Sequence, residues 1–212
     1  MNEIIDFFIR SYQETPTIFI LLEAIAFVFG IASVYYAKKE NILVYPTGLV
    51  ATVITVYLLY KAAYFGDMAM NFYYSIMSIY GWYNWARRKE GQKVVEISRT
   101  NDREKLIGVL LCLATMIVTY AVYKYFGTEI KTENYIDIFT SGLFFTAMLY
   151  MATKKLENWT LWIIADLITV PLYAYRGLGM LSLQYLIFTI LAIQGYLEWK
   201  KHLNNNPAIS LK

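Results

Sequence analysis

Apolar residues crowd seven stretches of the chain: 16–37, 43–63, 67–86, 106–126, 135–153, 158–176 and 178–199. Each is close to the ~20 residues that an α-helix needs to cross the hydrocarbon core of a bilayer. Only short polar breaks divide most of them, such as Lys38-Lys39-Glu40-Asn41 and Gly177-Leu178-Gly179. Ahead of the first run there is no basic segment leading into an apolar run and a small-residue cleavage site. The first fifteen residues therefore do not read as a removable signal, and the first helix is expected to direct its own insertion. The pattern predicts an all-α integral membrane protein with seven transmembrane helices.

Composition agrees and narrows the chemistry. The 212 residues are 58% apolar and 17% charged, whereas a soluble domain runs near ~45–50% and ~25%, so an ordinary soluble enzyme is excluded. Cys112 is the one cysteine and His202 the one histidine. That removes an internal disulfide, a cysteine-based metal site, a Ser–His–Asp triad and a histidine cluster. No GxxxxGK[ST] or GxGxxG phosphate-binding loop is present. The sequence thus predicts no catalytic residues, no metal and no cofactor. A net charge of +3 is too small for a nucleic-acid footprint. The 20 Tyr and 5 Trp suit a membrane interface or a ring-shaped ligand.

Charge placement sets an orientation. With seven spans, one side carries Arg10, Lys61, Lys124, Lys131 and Arg176, while the other carries the remaining fourteen Lys and Arg. The excess of basic residues on cytoplasmic loops predicts an outside N-terminus and a cytoplasmic C-terminus in the plasma (inner) membrane. The run 87–105 is expected to be a solvated cytoplasmic linker.

The chain also matches itself at an offset of 114. Ala51, Ile54, Thr55, Val56 and Leu58 fall on Ala165, Ile168, Thr169, Val170 and Leu172, and GWYNWARR (81–88) falls on GYLEWKKH (195–202). This offset carries helices one to three onto five to seven. The predicted organisation is an N-terminal tail (1–15), a first three-helix repeat (16–86), a loop and linker helix (87–134, helix 106–126), a second repeat (135–199) and a tail (200–212). Equivalent helices are four apart and so insert in the same direction, the parallel-repeat 3+1+3 plan of SWEET-like transporters, with substrate bound between the halves. Trp85 and Trp199 each end a helix beside basic residues and are expected to anchor at the membrane interface.

Ionisable and polar groups inside a bilayer are costly and mark function. On the sixth span Trp159, Trp162, Asp166, Thr169 and Tyr173 share one helical stripe. The first repeat lacks the carboxylate and indoles: its counterparts of Trp159, Trp162, Asp166 and Tyr173 are Tyr45, Gly48, Thr52 and Leu59. Asp166 either meets a ligand or pairs with a neighbouring helix, and Trp159 either lines a pocket or anchors the interface. Asn71, Tyr74 and Ser78 on the third span, and Gln184 and Phe188 on the seventh, are further walls or else helix–helix hydrogen bonds. Tyr73, Tyr175 and Arg176 are nominated for the outer mouth; Glu23 is intramembrane by position, for substrate contact or for pairing, and Gln194 lies near the cytoplasmic end of the seventh span. Indoles hold flat cationic rings through cation–π attraction, and a carboxylate and amides add polar recognition. A flat, cationic or amide-bearing ring with a hydroxylated arm is the guest such a pocket fits.

Over nearly its whole length the chain resembles the PnuC-type vitamin transporters, through GWYNWARR closing the third span, NWTLWIIAD (158–166) opening the sixth, and the 3+1+3 plan. The resemblance implies uptake of nicotinamide riboside, with thiamine or riboflavin as the alternatives, by facilitated diffusion down a gradient. It further implies trapping by a cytoplasmic kinase and a homotrimer with one pore per subunit. It places family substrate positions on Trp159, Trp162 and Asp166, and by extension on Asn71, Tyr74 and Gln184. A seven-helix sensor or an integral-membrane enzyme is the contrasting class.

Overall fold

The structure, a computed structural model, describes residues 15–61, 65–89, 91–125 and 130–205. Most of the N-terminal tail with its Arg10, residues 62–63 of the second span, residue 126 of the fourth and most of the C-terminal tail lie outside these. Seven helices follow in order: α1 Thr17–Lys38, α2 Val44–Lys61, α3 Phe65–Ala86, α4 Asp102–Tyr125, α5 Thr132–Ala152, α6 Glu157–Tyr175 and α7 Gly179–Asn205. A short antiparallel hairpin, β1 Arg88–Lys89 and β2 Gln92–Lys93, sits between α3 and α4. Five helices (α1, α2, α4, α5, α7) are long and apolar enough to cross a membrane by length and composition. The other two are those that carry the nominated polar residues of the third and sixth spans, which lower their mean hydropathy.

The helix ends have local causes. Asn41 accepts a 2.9 Å bond from the Leu43 N–H at the start of α2. Asn101 and Glu104 cap α4 reciprocally, side chain to backbone, at 2.9 Å each way. After α6, Gly177 takes φ 73°, and the following Leu178 N–H donates to Tyr173 C=O at 2.9 Å. This is the left-handed helix ending that glycine adopts without strain.

Packing closes six helices into a ring. α1 lies against α2, α2 against α3, α3 against α5, α5 against α6, α6 against α7, and α7 back against α1, while α4 packs on α5. The same hydrogen bonds recur 114 residues apart. Asn41 N–H donates to Tyr36 C=O at 2.9 Å, and Lys155 N–H to Tyr150 C=O at 2.8 Å. Glu40 and Lys154 turn the chain with φ of 52° and 54°. Thr55 and Thr169 each donate to the carbonyl four residues back at 2.8 Å.

The core lies where the Lys- and Arg-rich turns gather, here called the basic end. Tyr45, Trp85, Trp159 and Trp199 are buried there together with Ile97, Leu156 and Leu203. Trp85 and Trp199 are therefore not interface anchors. They are 5% and 1% exposed, and their indole N–H groups donate to Met151 C=O and Ala37 C=O, each at 3.2 Å. A buried indole needs an acceptor; Trp85 of α3 finds it on α5, and Trp199 of α7 finds it on α1. The basic segment 87–105 also differs from a purely solvated linker. Ile97 is buried, Ser98 N–H donates to Lys154 C=O, Leu156 N–H donates to Ser98 C=O, and Glu157 receives the Thr100 N–H at 2.9 Å. Ile97 and these hydrogen bonds together dock the loop under the α5–α6 turn.

Candidate functional site

Five of the nominated residues, Trp162, Tyr73, Tyr74, Tyr173 and Phe188, join one run of aromatic contacts. Trp162 of α6 has its ring 6.4 Å from Tyr74 of α3 and 5.4 Å from Phe144 of α5. Tyr73 stacks flat on Phe145 at 3.9 Å and donates to its carbonyl at 3.1 Å. From Phe144 the run of rings continues to Tyr185 of α7, which contacts Tyr173 at 5.3 Å and Phe188 at 5.9 Å. Aromatic side chains from α3, α5, α6 and α7 thus form one continuous wall.

On the α1–α2 side the chain uses small residues. A Cβ at Gly30 would come 3.3 Å from the Gln184 amide nitrogen and 3.5 Å from Phe188, and one at Gly48 would meet Ser33 Oγ at 2.9 Å and Ser78 Oγ at 3.8 Å. Gln184, Phe188 and Ser78 therefore face the backbones of α1 and α2 at close range. Offset by 114, Gly30 and Gly48 correspond to Phe144 and Trp162. α1 and α2 give up side chains where α5 and α6 supply rings.

Asp166 is 1% exposed and its Oδ1 has no hydrogen-bond partner. At the matching position of the first half Thr52 Oγ1 lies 2.8 Å from Ser75 Oγ, which also reaches Asn71 C=O at 3.0 Å. In the second half Thr189, which replaces Ser75, donates instead to Tyr185 C=O at 2.8 Å, and Thr169 bonds to its own helix. Neither hydroxyl is spent on Asp166. A buried acceptor without a donor costs free energy, and such a group is suited to receive a ligand's N–H, O–H or positive charge.

Other nominations separate from this cluster. Trp159 is 1% exposed, meets Trp199 edge-on at 5.4 Å, and lies against Gly195, where a Cβ would approach to 2.7 Å. It belongs to the basic-end core, although its indole N–H is buried without an acceptor. Arg176 makes a two-point contact with Asp137, at 2.6 and 3.2 Å, beyond the last turn of α6. Tyr175 is largely exposed, and Tyr73, nominated with these two, lies in the ring wall instead. Gln194 accepts from Lys38 at 2.8 Å, and Glu23 is partly buried in α1.

Phe144, Phe145, Tyr185 and Ser33 were not legible in advance. Lone Phe residues on an apolar helix carry no mark of their own, although the offset of 114 places Phe144 opposite Gly30. Two cavities, of ≈ 320 and ≈ 450 Å³, lie at the basic end rather than in the ring wall. Among the described residues no group of three or more His, Cys, Asp or Glu is placed to hold a metal ion.

Comparison with known proteins bears on what this arrangement does. Residues 20–201 match the family model described as nicotinamide mononucleotide transporter. The nicotinamide riboside transporter PnuC of Escherichia coli (strain K12) is 23% identical over 201 residues, covering 84% of each chain. Its counterpart in Neisseria mucosa is 24% identical over 192 residues, covering 85% of this chain and 72% of the relative. A crystal structure of the vitamin B3 transporter PnuC superposes with a TM-score of 0.69 at 23% identity, over 87% of this chain and 83% of that one. At that identity the superposition bears on the fold alone.

Proposed function

Because the chain belongs to the nicotinamide mononucleotide transporter family, we propose that it is a multi-pass membrane transporter that takes up nicotinamide riboside. The observation that carries this reading is the family match across 20–201, which spans nearly all seven helices, together with relatives named for that substrate. The ring wall supports it chemically. Trp162 and Tyr74 offer π faces to a cationic pyridinium. Asp166 offers an acceptor to the cation or to ribose hydroxyls, and Asn71, Ser78 and Gln184 can read a carboxamide or a hydroxyl. Thr169, Tyr173 and Phe188 complete the walls, and Trp159 backs the site from the core.

The architecture in this reading is two three-helix repeats, α1–α3 and α5–α7, joined by α4 and running in the same direction. Recurrence of turns and hydrogen bonds at an offset of 114 supports it. Substrate binds between the halves, which rock about it. The basic end faces the cytoplasm, three subunits assemble with one pore each, and a cytoplasmic kinase holds the product by phosphorylating it. Transport needs no chemical step on the protein. Uptake of labelled nicotinamide riboside into proteoliposomes tests the function: concentration-saturable flux is expected, and none above empty vesicles would overturn it.

A further inference from the structure

Lys154 is 1% exposed at the α5–α6 turn. Its ammonium lies 2.6 Å from Glu40 Oε1 at the α1–α2 turn and 4.5 Å from the centre of the Trp85 ring. From these contacts we propose that Glu40 and Lys154 are the gate that shuts the basic end of the permeation path, an inference that rests on the transport reading above.

Three features place the pair at a closing point. It joins two turns that belong to different three-helix groups, 114 residues apart. It caps the buried layer of Tyr45, Trp85, Trp159 and Trp199 at this end, in which the Trp85 and Trp199 indole donors also cross between the groups. And a cavity of ≈ 450 Å³ ends on it, bordered by Lys39, Arg88 and Trp85 as well as the pair itself. That cavity is a vestibule in front of a closed door.

The chemistry suits a gate better than a staple. The Lys154 side chain is 2% exposed and that of Glu40 18%, and an ion pair taken this far out of water is a poor device for stability alone, since apolar residues of similar size do as well or better. Its attraction depends on the surrounding dielectric, strong when dry and several-fold weaker in water. The pair therefore reinforces the shut state while water is excluded, and lets go once the halves part and the vestibule floods. Both residues also hold left-handed backbone, with φ of 52° and 54°, which side chains other than glycine rarely adopt.

The test uses an accessibility reporter that is independent of flux. In a Cys112→Ser background, Ala192→Cys places a thiol in the buried layer beneath the pair, where Ala192 is 1% exposed. Proteoliposomes are treated with a membrane-impermeant maleimide from the basic side. Glu40→Gln and Lys154→Met are each expected to speed modification by about tenfold, as a shift of the shut–open equilibrium. The exchanged pair Glu40→Lys/Lys154→Glu is expected to restore the slow rate. Unchanged rates in both single variants, or a fast rate in the exchanged pair, would overturn the gate. Should a single variant fail to fold, Glu40→Asp keeps the charge but shortens the arm: an intermediate rate supports the gate, and the parent's rate overturns it. Nicotinamide riboside flux in the parent protein is measured alongside. If that is absent while the labelling behaves as expected, the substrate reading fails and the gate stands.

Discussion

Asp166 holds a carboxyl group in a nearly dry helix interior with one oxygen unpartnered. An unpaired polar group in that setting costs about 1–3 kcal/mol. Stability and binding should therefore move in opposite directions on its removal. Asp166→Ala is expected to raise the melting temperature in detergent while weakening nicotinamide riboside binding by about ten- to a hundredfold, the scale of a lost charge-assisted hydrogen bond. Trp162→Ala is expected to weaken binding at least tenfold, since a desolvated cation–π contact is worth about 2 kcal/mol, with the size-exclusion profile unchanged. Calorimetric titration measures both, and wild-type affinity in the two variants would move the site elsewhere. Trp159 sits differently. Its ring is locked between Trp199 and Gly195, so its truncation should lower stability first and binding only as a consequence.

At the scale of the elements, close approach is what the glycines provide. Gly81 and Gly195 lie against Tyr45 and Trp159 so tightly that a Cβ would come within 2.3 and 2.7 Å of the rings. Gly195→Val is expected to destabilise the protein by about 1–3 kcal/mol through overpacking, read as a lower melting temperature. The docked loop offers a second test outside the membrane. Ile97→Ala removes a buried side chain that pins 91–101 beneath the α5–α6 turn, and a loss of about 2–5 kcal/mol is expected. Protease cleavage within that loop should accelerate in parallel. The helices themselves were legible in the sequence to within about four residues, except that α7 continues to Asn205, six residues past the end of the seventh apolar run, because its polar last turns carry no hydropathy signal. The docking of the loop was not, because three apolar residues (Val94, Val95 and Ile97) among Lys, Glu and Arg do not say which of them is buried, or against what.

At the scale of the whole molecule, the proposed reading has a ring of six helices around one site whose binding groups serve both faces in turn. Facilitated diffusion then requires no energy source. Nicotinamide riboside uptake into vesicles should proceed without ATP or an imposed ion gradient and stop at equal concentrations, and a proton ionophore should leave its initial rate unchanged. Crosslinks that tie α1–α3 to α5–α7 are expected to stop this flux and leave binding intact. A rate that collapses with the proton gradient would replace the uniport reading with a coupled one.

Seven helices, five of them long and apolar enough to cross a membrane, and the self-match at 114 were all carried by the sequence itself. Hydropathy and repetition are properties of residues in order, and they survive without knowledge of neighbours. Helical spacing likewise put Trp162, Asp166 and Tyr173 on one face of α6. It could not say what that face would meet. Only the packing of distant helices brought Phe144, Phe145 and Tyr185 into the ring wall and drew Trp85 and Trp199 inward to carbonyls on the opposite group. The same packing set Lys154 against Glu40. Such contacts arise between segments more than a hundred or dozens of residues apart, and the geometry of the closed ring decides them.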